Sequence, residues 1–104
     1  MLQVLRQCRK ELEDFPEQIR GDLADAIARL EEGHKLSMPL SRPMPSIGKG
    51  VHELRFKDRA GIYRVIYVFA KGGNIWLLHA FMKKTQQTPK KNMNTAKNRL
   101  REVR

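Results

Sequence analysis

The chain has 104 residues, one cysteine and a formal net charge of +10. That length fits one domain, residues 1–104, with a modest core, and a lone Cys8 excludes an internal disulfide or a cysteine-rich zinc site and suits a reducing compartment. No apolar run approaches the ~20 residues of a membrane span, and the opening MLQVLRQCRKELEDF is too charged for a secretory signal, so a cytoplasmic protein with no membrane partner is expected.

Residues 3–14 carry a helical pattern, with Leu5, Cys8, Leu12 and Phe15 forming one apolar stripe. Pro16 breaks it and suits the first turn of a second helix. Asp14 and Glu17 have the spacing of a capping box. Ile19, Leu23, Ala26, Ile27 and Leu30 then share one helical face, and Gly33 is placed to stop the helix. Together these predict a helical hairpin with a single apolar side. Residues 35–50 hold three of the five prolines and two glycines, which predicts a connector without regular structure. Its Leu36, Met38, Leu40, Met44 and Ile47 predict that it packs against the domain.

Residues 51–85 predict a three-stranded antiparallel meander. Val51 to Lys57 alternates, with His52, Leu54 and Phe56 on one face and Glu53, Arg55 and Lys57 on the other, the pattern of a strand half open to solvent. Asp58-Arg59-Ala60-Gly61 is a turn. Ile62 to Ala70 is β-branched and aromatic apart from Arg64, as in a central strand. Gly72-Gly73-Asn74 is a second turn, and Ile75 to Phe81 a further strand running out into Met82-Lys83-Lys84-Thr85. Thr88-Pro89 marks a last helix, striped by Met93, Ala96, Leu100 and Val103. Lys90 and Lys91 fall in its first turn, where the helix dipole disfavours cations and a bound anion would relieve the conflict. Two helices, a meander and a helix give an α+β fold in which the sheet packs one face on the helical hairpin and leaves the other partly open.

The charge is confined to the second half. Residues 1–50 hold eight Lys/Arg and eight Asp/Glu, whereas residues 51–104 hold thirteen Lys/Arg against Glu53, Asp58 and Glu102. Such asymmetry points to a polyanionic partner, nucleic acid first, an acidic protein second and anionic lipid third. His34, His52 and His79 lack metal-ligand spacing. Ser37, Ser41 and Ser46 lie in the connector, none in a nucleophile motif. No glycine-rich phosphate loop is present. No metal or cofactor is therefore expected. A metal-free cationic site suits cleavage of RNA, which brings its own nucleophile, the 2′-hydroxyl. Arginine offers planar bidentate contacts to phosphate oxygens, lysine can move a proton, and an aromatic ring can stack on a splayed base. Arg55, Arg64, Lys83, Lys84 and Phe81 would supply these parts, with Lys57, Lys90 and Lys91 as further RNA contacts. Each has a competing reading. Arg55 is also a solvated strand residue, Arg64 a partner of Glu53, the lysines a solvated strand end, and His79 a hydrogen-bonded core histidine as well as a candidate RNA contact.

Three blocks carry a family resemblance: Gly50-Val51-His52-Glu53-Leu54-Arg55, Asp58-Arg59-Ala60-Gly61-Ile62-Tyr63-Arg64-Val65-Ile66-Tyr67, and Leu78-His79-Ala80-Phe81-Met82-Lys83-Lys84-Thr85-Gln86-Gln87-Thr88-Pro89. In order and spacing they resemble the phage-derived branch of the RelE/HigB toxins. The resemblance implies a RelE-like antiparallel sheet, and a toxin of a type II toxin–antitoxin pair that cleaves ribosome-associated mRNA and inhibits translation. It implies as partners mRNA, the ribosome and a helix-turn-helix antitoxin of HigA type. By the family pattern Arg55 and Arg64 fall on positions expected to bind phosphate or stabilise the transition state, and Lys83 and Lys84 on the basic pair after the last core strand. An alternative is a ParE-like toxin, which shares the fold but poisons DNA gyrase by binding. One feature departs from the family, whose members usually open with a β-strand. Only Met1 to Leu5 could supply it here, so either the strand is very short or the chain starts late. Its loss would expose a sheet edge.

Overall fold

The computed structural model describes residues 1–83 and 88–104. The elements run β1 (Leu2–Val4), α1 (Arg6–Glu13), α2 (Glu17–Glu31), β2 (Ser41–Pro43), β3 (Val51–Lys57), β4 (Ile62–Ala70), β5 (Asn74–Lys83) and α3 (Lys90–Val103), with a 3-10 turn at Lys71–Gly73 between β4 and β5. The fold is α+β. The predicted meander, β3–β4–β5, is the centre of a five-stranded mixed sheet of order β1-β5-β4-β3-β2.

Both outer strands depart from the sequence reading. The helical pattern over residues 3–14 begins only at Arg6. Leu2–Val4 instead pairs parallel with Ile75–Leu77 of β5, which answers the missing-strand question with a strand of three residues. The second departure lies in the connector. Ser41–Pro43 pairs antiparallel with His52–Leu54, and the Ser41 hydroxyl lies 2.7 Å from the buried Tyr67 hydroxyl. Neither strand is long enough to show a period of its own. Each is stabilised by a partner strand that comes later in the sequence.

The helical hairpin is as expected, with one correction. Gly33 ends α2 at φ 91°, its N–H bonded to Leu30 O and that of His34 to Arg29 O, both at 3.0 Å, the paired C-terminal bonds that favour glycine. There is no capping box. Asp14 ends α1, Pro16 precedes α2, and no side chain caps the start of α2. Cys8, Phe15, Ile19, Leu23, Ala26, Ile27 and Leu30 bury against Leu54, Tyr63, Val65, Tyr67, Ile75 and Leu77 on one face of the sheet. The Cys8 thiol, fully buried, is pushed up to about 12 by burial and by the nearby Glu11 charge.

The other face is covered along part of its length by α3. Ala96 and Leu100, with Met93 and Val103 beside them, pack on Ile66, Val68, Leu78 and Phe81. A register shift between Ile66 and Tyr67 lets Ile66 pair with His79 while Tyr67 pairs with Leu77. Leu78 is the extra residue, and both Leu78 and His79 join the α3 side. Because α3 covers this face, β3 is not half open. Glu53 is fully buried. Among the described residues no helix is long and apolar enough to cross a membrane.

Candidate functional site

Beyond α3 the same sheet face carries the cations. Across the three central strands the register pairs Glu53 with Ile66 and Ile66 with His79, then Arg55 with Arg64 and Arg64 with Phe81, then Lys57 with Ile62 and Ile62 with Lys83. Directly opposite residues project to the same side, about 5 Å apart, and alternate residues along a strand share a face. These nine residues therefore form a three-by-three grid. Arg55, Arg64, Lys57, Phe81, His79 and Lys83, separated in sequence by up to 28 positions (83 − 55), are brought together on it. A cleft of about 310 Å³ opens at its β3 side against the connector, lined by Pro39, Leu40, Arg55, Phe56, Lys57, Ile62 and Arg64.

Arg64 is only 2% exposed. Its Nε lies 3.2 Å from Glu53 Oε1, so the pairing that the sequence left open is made. Arg42 Nη2 stands 3.5 Å from the same oxygen, and the Thr88 hydroxyl donates to Glu53 Oε2 at 2.7 Å. Two arginines thus share one buried carboxylate, and Thr88 ties the start of α3 to the grid. Burial, and then the Arg55 and Arg42 charges, press the Arg64 guanidinium downward against the pull of Glu53. Cations this crowded would gain from an anion in the cleft. Arg55 is half-buried. Its N–H bonds Leu40 O at 2.8 Å and its Nη1 approaches Met38 Sδ at 3.3 Å, so the connector fixes it from the side.

Lys83 is the last residue of β5 and is 6% exposed. Burial, helped by the charge of Arg64, pulls its ammonium down to about 8. Lys57 is exposed at the rim. Lys90 and Lys91 are exposed on the first turn of α3, two and three residues past Thr88. Lys84 lies outside the described residues.

His79 is 5% exposed, and both its ring nitrogens face internal partners. Nδ1 lies 2.9 Å from Glu11 Oε1 and Nε2 lies 2.8 Å from Asn92 Nδ2. An Nδ1–H donating to the carboxylate, with Nε2 accepting from the amide, satisfies both contacts. The ring stacks on Phe81 at 4.9 Å and 27°. This is the hydrogen-bonded core histidine, and it packs beside Phe81 on the same face, where Phe81, the predicted base-stacking ring, is buried in the α3-side core.

Glu11 was legible only as a polar helix residue. In the fold it accepts from His79, from Ala80 N at 3.1 Å, and from Arg99 Nη1 and Nη2 at 2.7 and 2.9 Å. Arg99 Nη1 also donates to Leu78 O at 3.0 Å. The backbone of β5 beyond its pairing with β1 is thus bonded by side chains from α1 and α3, which is how this sheet edge is covered. Burial would raise the Glu11 carboxyl, but the hydrogen bonds from His79, Arg99 and Ala80 outweigh it and pull it down to about 2. Nothing local signals Glu11's part in this cluster, because its partners stand 68 to 88 residues away from it.

An α+β domain with a cationic cleft on its sheet defines the class. The family of phage-derived Gp49-like proteins matches the chain over residues 10–101, and the chain belongs to that family, which is toxin-like. No curated protein matches it.

Proposed function

We propose that the chain is the toxin of a type II toxin–antitoxin pair, a metal-independent endoribonuclease of the RelE/HigB type that cleaves mRNA on the ribosome. The observation that supports this most is the grid: Arg55, Arg64 and Lys83 share one sheet face, and Arg55 and Arg64 line its cleft. Arg55 and Arg64 bind the non-bridging oxygens of the scissile phosphate and stabilise the charge that grows there as the 2′-hydroxyl attacks. The attack forms the 2′-oxygen–phosphorus bond as the 2′-hydroxyl proton passes to water, and breaks the phosphorus bond to the 5′-oxygen, which leaves with a proton. Lys83 is the donor. Titrating near 8, it is mostly charged at neutral pH yet acidic enough to give up a proton. Phe81, buried and stacked on His79, backs the grid from within the α3-side core, and Lys57, Lys90 and Lys91 hold the flanking phosphates. The neutralising partner is a helix-turn-helix antitoxin of HigA type.

The test is induction of the wild type and of Arg55→Ala, followed by mapping of RNA 5′ ends on ribosome-bound transcripts. Arg55 is preferred to Arg64 because removing Arg64 would leave Glu53 buried beside fewer cations. New 5′ ends with the wild type and their loss with Arg55→Ala are expected. Equal growth arrest by both without new ends would overturn the reading, and gyrase-linked DNA breaks in their place would replace it with the ParE-type one.

A further inference from the structure

The grid occupies one end of the sheet, and the other end carries a larger groove that the proposed chemistry does not use. It encloses about 780 Å³ between the end of α3, the Gly50 turn and the β4–β5 hairpin. Val68, Trp76 and Val103 give it an apolar floor, and Lys49, Lys71 and Arg104 give it a cationic rim. No Asp or Glu is among its described lining residues. The three cations are exposed, and the Arg104 guanidinium holds the Lys49 carbonyl, which fixes one side of the rim. Trp76 is half-buried and sits directly opposite Val68. Among the described residues its indole N–H has no hydrogen-bond partner.

The lining specifies an occupant. A floor of valine and tryptophan gains from apolar side chains and has nothing to offer phosphates. A rim of three cations with no Asp or Glu side chain favours anionic groups, and over an apolar floor those are best supplied by carboxylates interleaved with apolar side chains. Tryptophan is enriched among residues that dominate binding energies, and an available indole N–H adds a directional donor. A second copy of the chain is a poor fit, because each copy carries +10 and the two would repel.

We infer that this groove docks an acidic, amphipathic segment of a partner protein. A bulky apolar side chain lies over Trp76 and Val68, and flanking carboxylates pair with Lys49, Lys71 and Arg104. Val68 is four residues from Arg64 along β4, roughly 13 Å at about 3.3 Å per residue, so the docked segment leaves the cleft at Arg55 and Arg64 open. The inference does not depend on RNA cleavage.

The test is selection of displayed random dodecapeptides on the full chain, then anisotropy titration of the enriched peptides. Enriched sequences are expected to place Asp or Glu beside Trp, Phe or Leu. Their binding should weaken by about tenfold in Lys71→Glu and in Trp76→Ala, a loss typical of a central contact, and should change little in Lys57→Glu at the far end of the sheet. Thermal melts check folding, and the exposed Lys71→Glu carries the test if Trp76→Ala unfolds. Failure to enrich any peptide, selection of peptides without acids, or equal weakening in Lys57→Glu overturns the inference. So does an oligouridylate that binds more tightly than the peptides and is lost in Trp76→Ala, which would make the groove an RNA site.

Discussion

Replacing Glu11 by Gln tests the clasp that joins α1, β5 and α3. Gln keeps the shape but loses the charge, and its amide nitrogen cannot accept from Arg99. The carboxyl is pulled from an ordinary 4.5 to about 2. That difference of about 2.5 units corresponds to about 3 kcal/mol at 1.36 kcal/mol per unit, an upper figure because the side chain is 27% exposed. The sign follows from the downward shift. The folded state holds the Glu11 proton less tightly than the unfolded state, so the contribution is complete above about pH 4.5 and is lost as pH falls towards 2. By pH 3 about 2 kcal/mol of it should be gone. The assay is urea unfolding of wild type and Glu11→Gln across this range. The difference between the two proteins isolates this carboxyl, because other titrating groups affect both. The expected difference is largest at neutral pH and shrinks steadily below 4.5. A difference that stays constant from neutral pH down to about 2.5 would refute the electrostatic account.

Other outcomes follow from the same geometry. Glu53→Gln should cost about 3–5 kcal/mol in chemical denaturation, because it leaves Arg64 and Arg42 beside a neutral amide in a buried position; a cost below about 1 kcal/mol would show that the ion pair is not what holds the grid. Tyr67→Phe should cost about 1–2 kcal/mol by stranding the Ser41 hydroxyl, and it should speed amide exchange in β2 more than in β4. Cleavage of RNA should decline as pH rises through about 8, where Lys83 loses its proton, and Lys83→Met should be slow and lack that decline; an unchanged alkaline limb would assign the proton donor elsewhere. Cys8, buried and pushed up to about 12, should resist alkylation at mildly alkaline pH until denaturant is added.

Much of the site could be read before the fold was seen. The alternation of Val51 to Lys57 and the lone Arg64 in an apolar strand placed cations on strands, and period-2 geometry put Arg55 and Lys57 on one face. What could not be read was how far the strands slide against one another. The pairing of Arg55 with Arg64 and of Arg64 with Phe81 depends on two turns and on the extra residue at Leu78. Shifting that register by one residue would send each cation to the opposite face.

The sequence by itself determined the elements whose stability is local or periodic: α2 with its apolar stripe and glycine stop, the central strands with their turns, α3, and the concentration of charge after residue 50. Each is written in neighbouring residues, so spacing alone reveals it. Tertiary structure decided what depends on partners far along the chain. Leu2–Val4 is a strand because Ile75–Leu77 offers an edge, and Ser41–Pro43 is one because β3 does. Glu53, offered by the sequence only as one reading of Arg64, and Glu11, a polar helix residue, proved to be carboxylates that organise the sheet face, one bound to Arg64 and one to His79 and Arg99. A buried charge is tolerated only when its partners converge on it in space, and that convergence is a property of the fold.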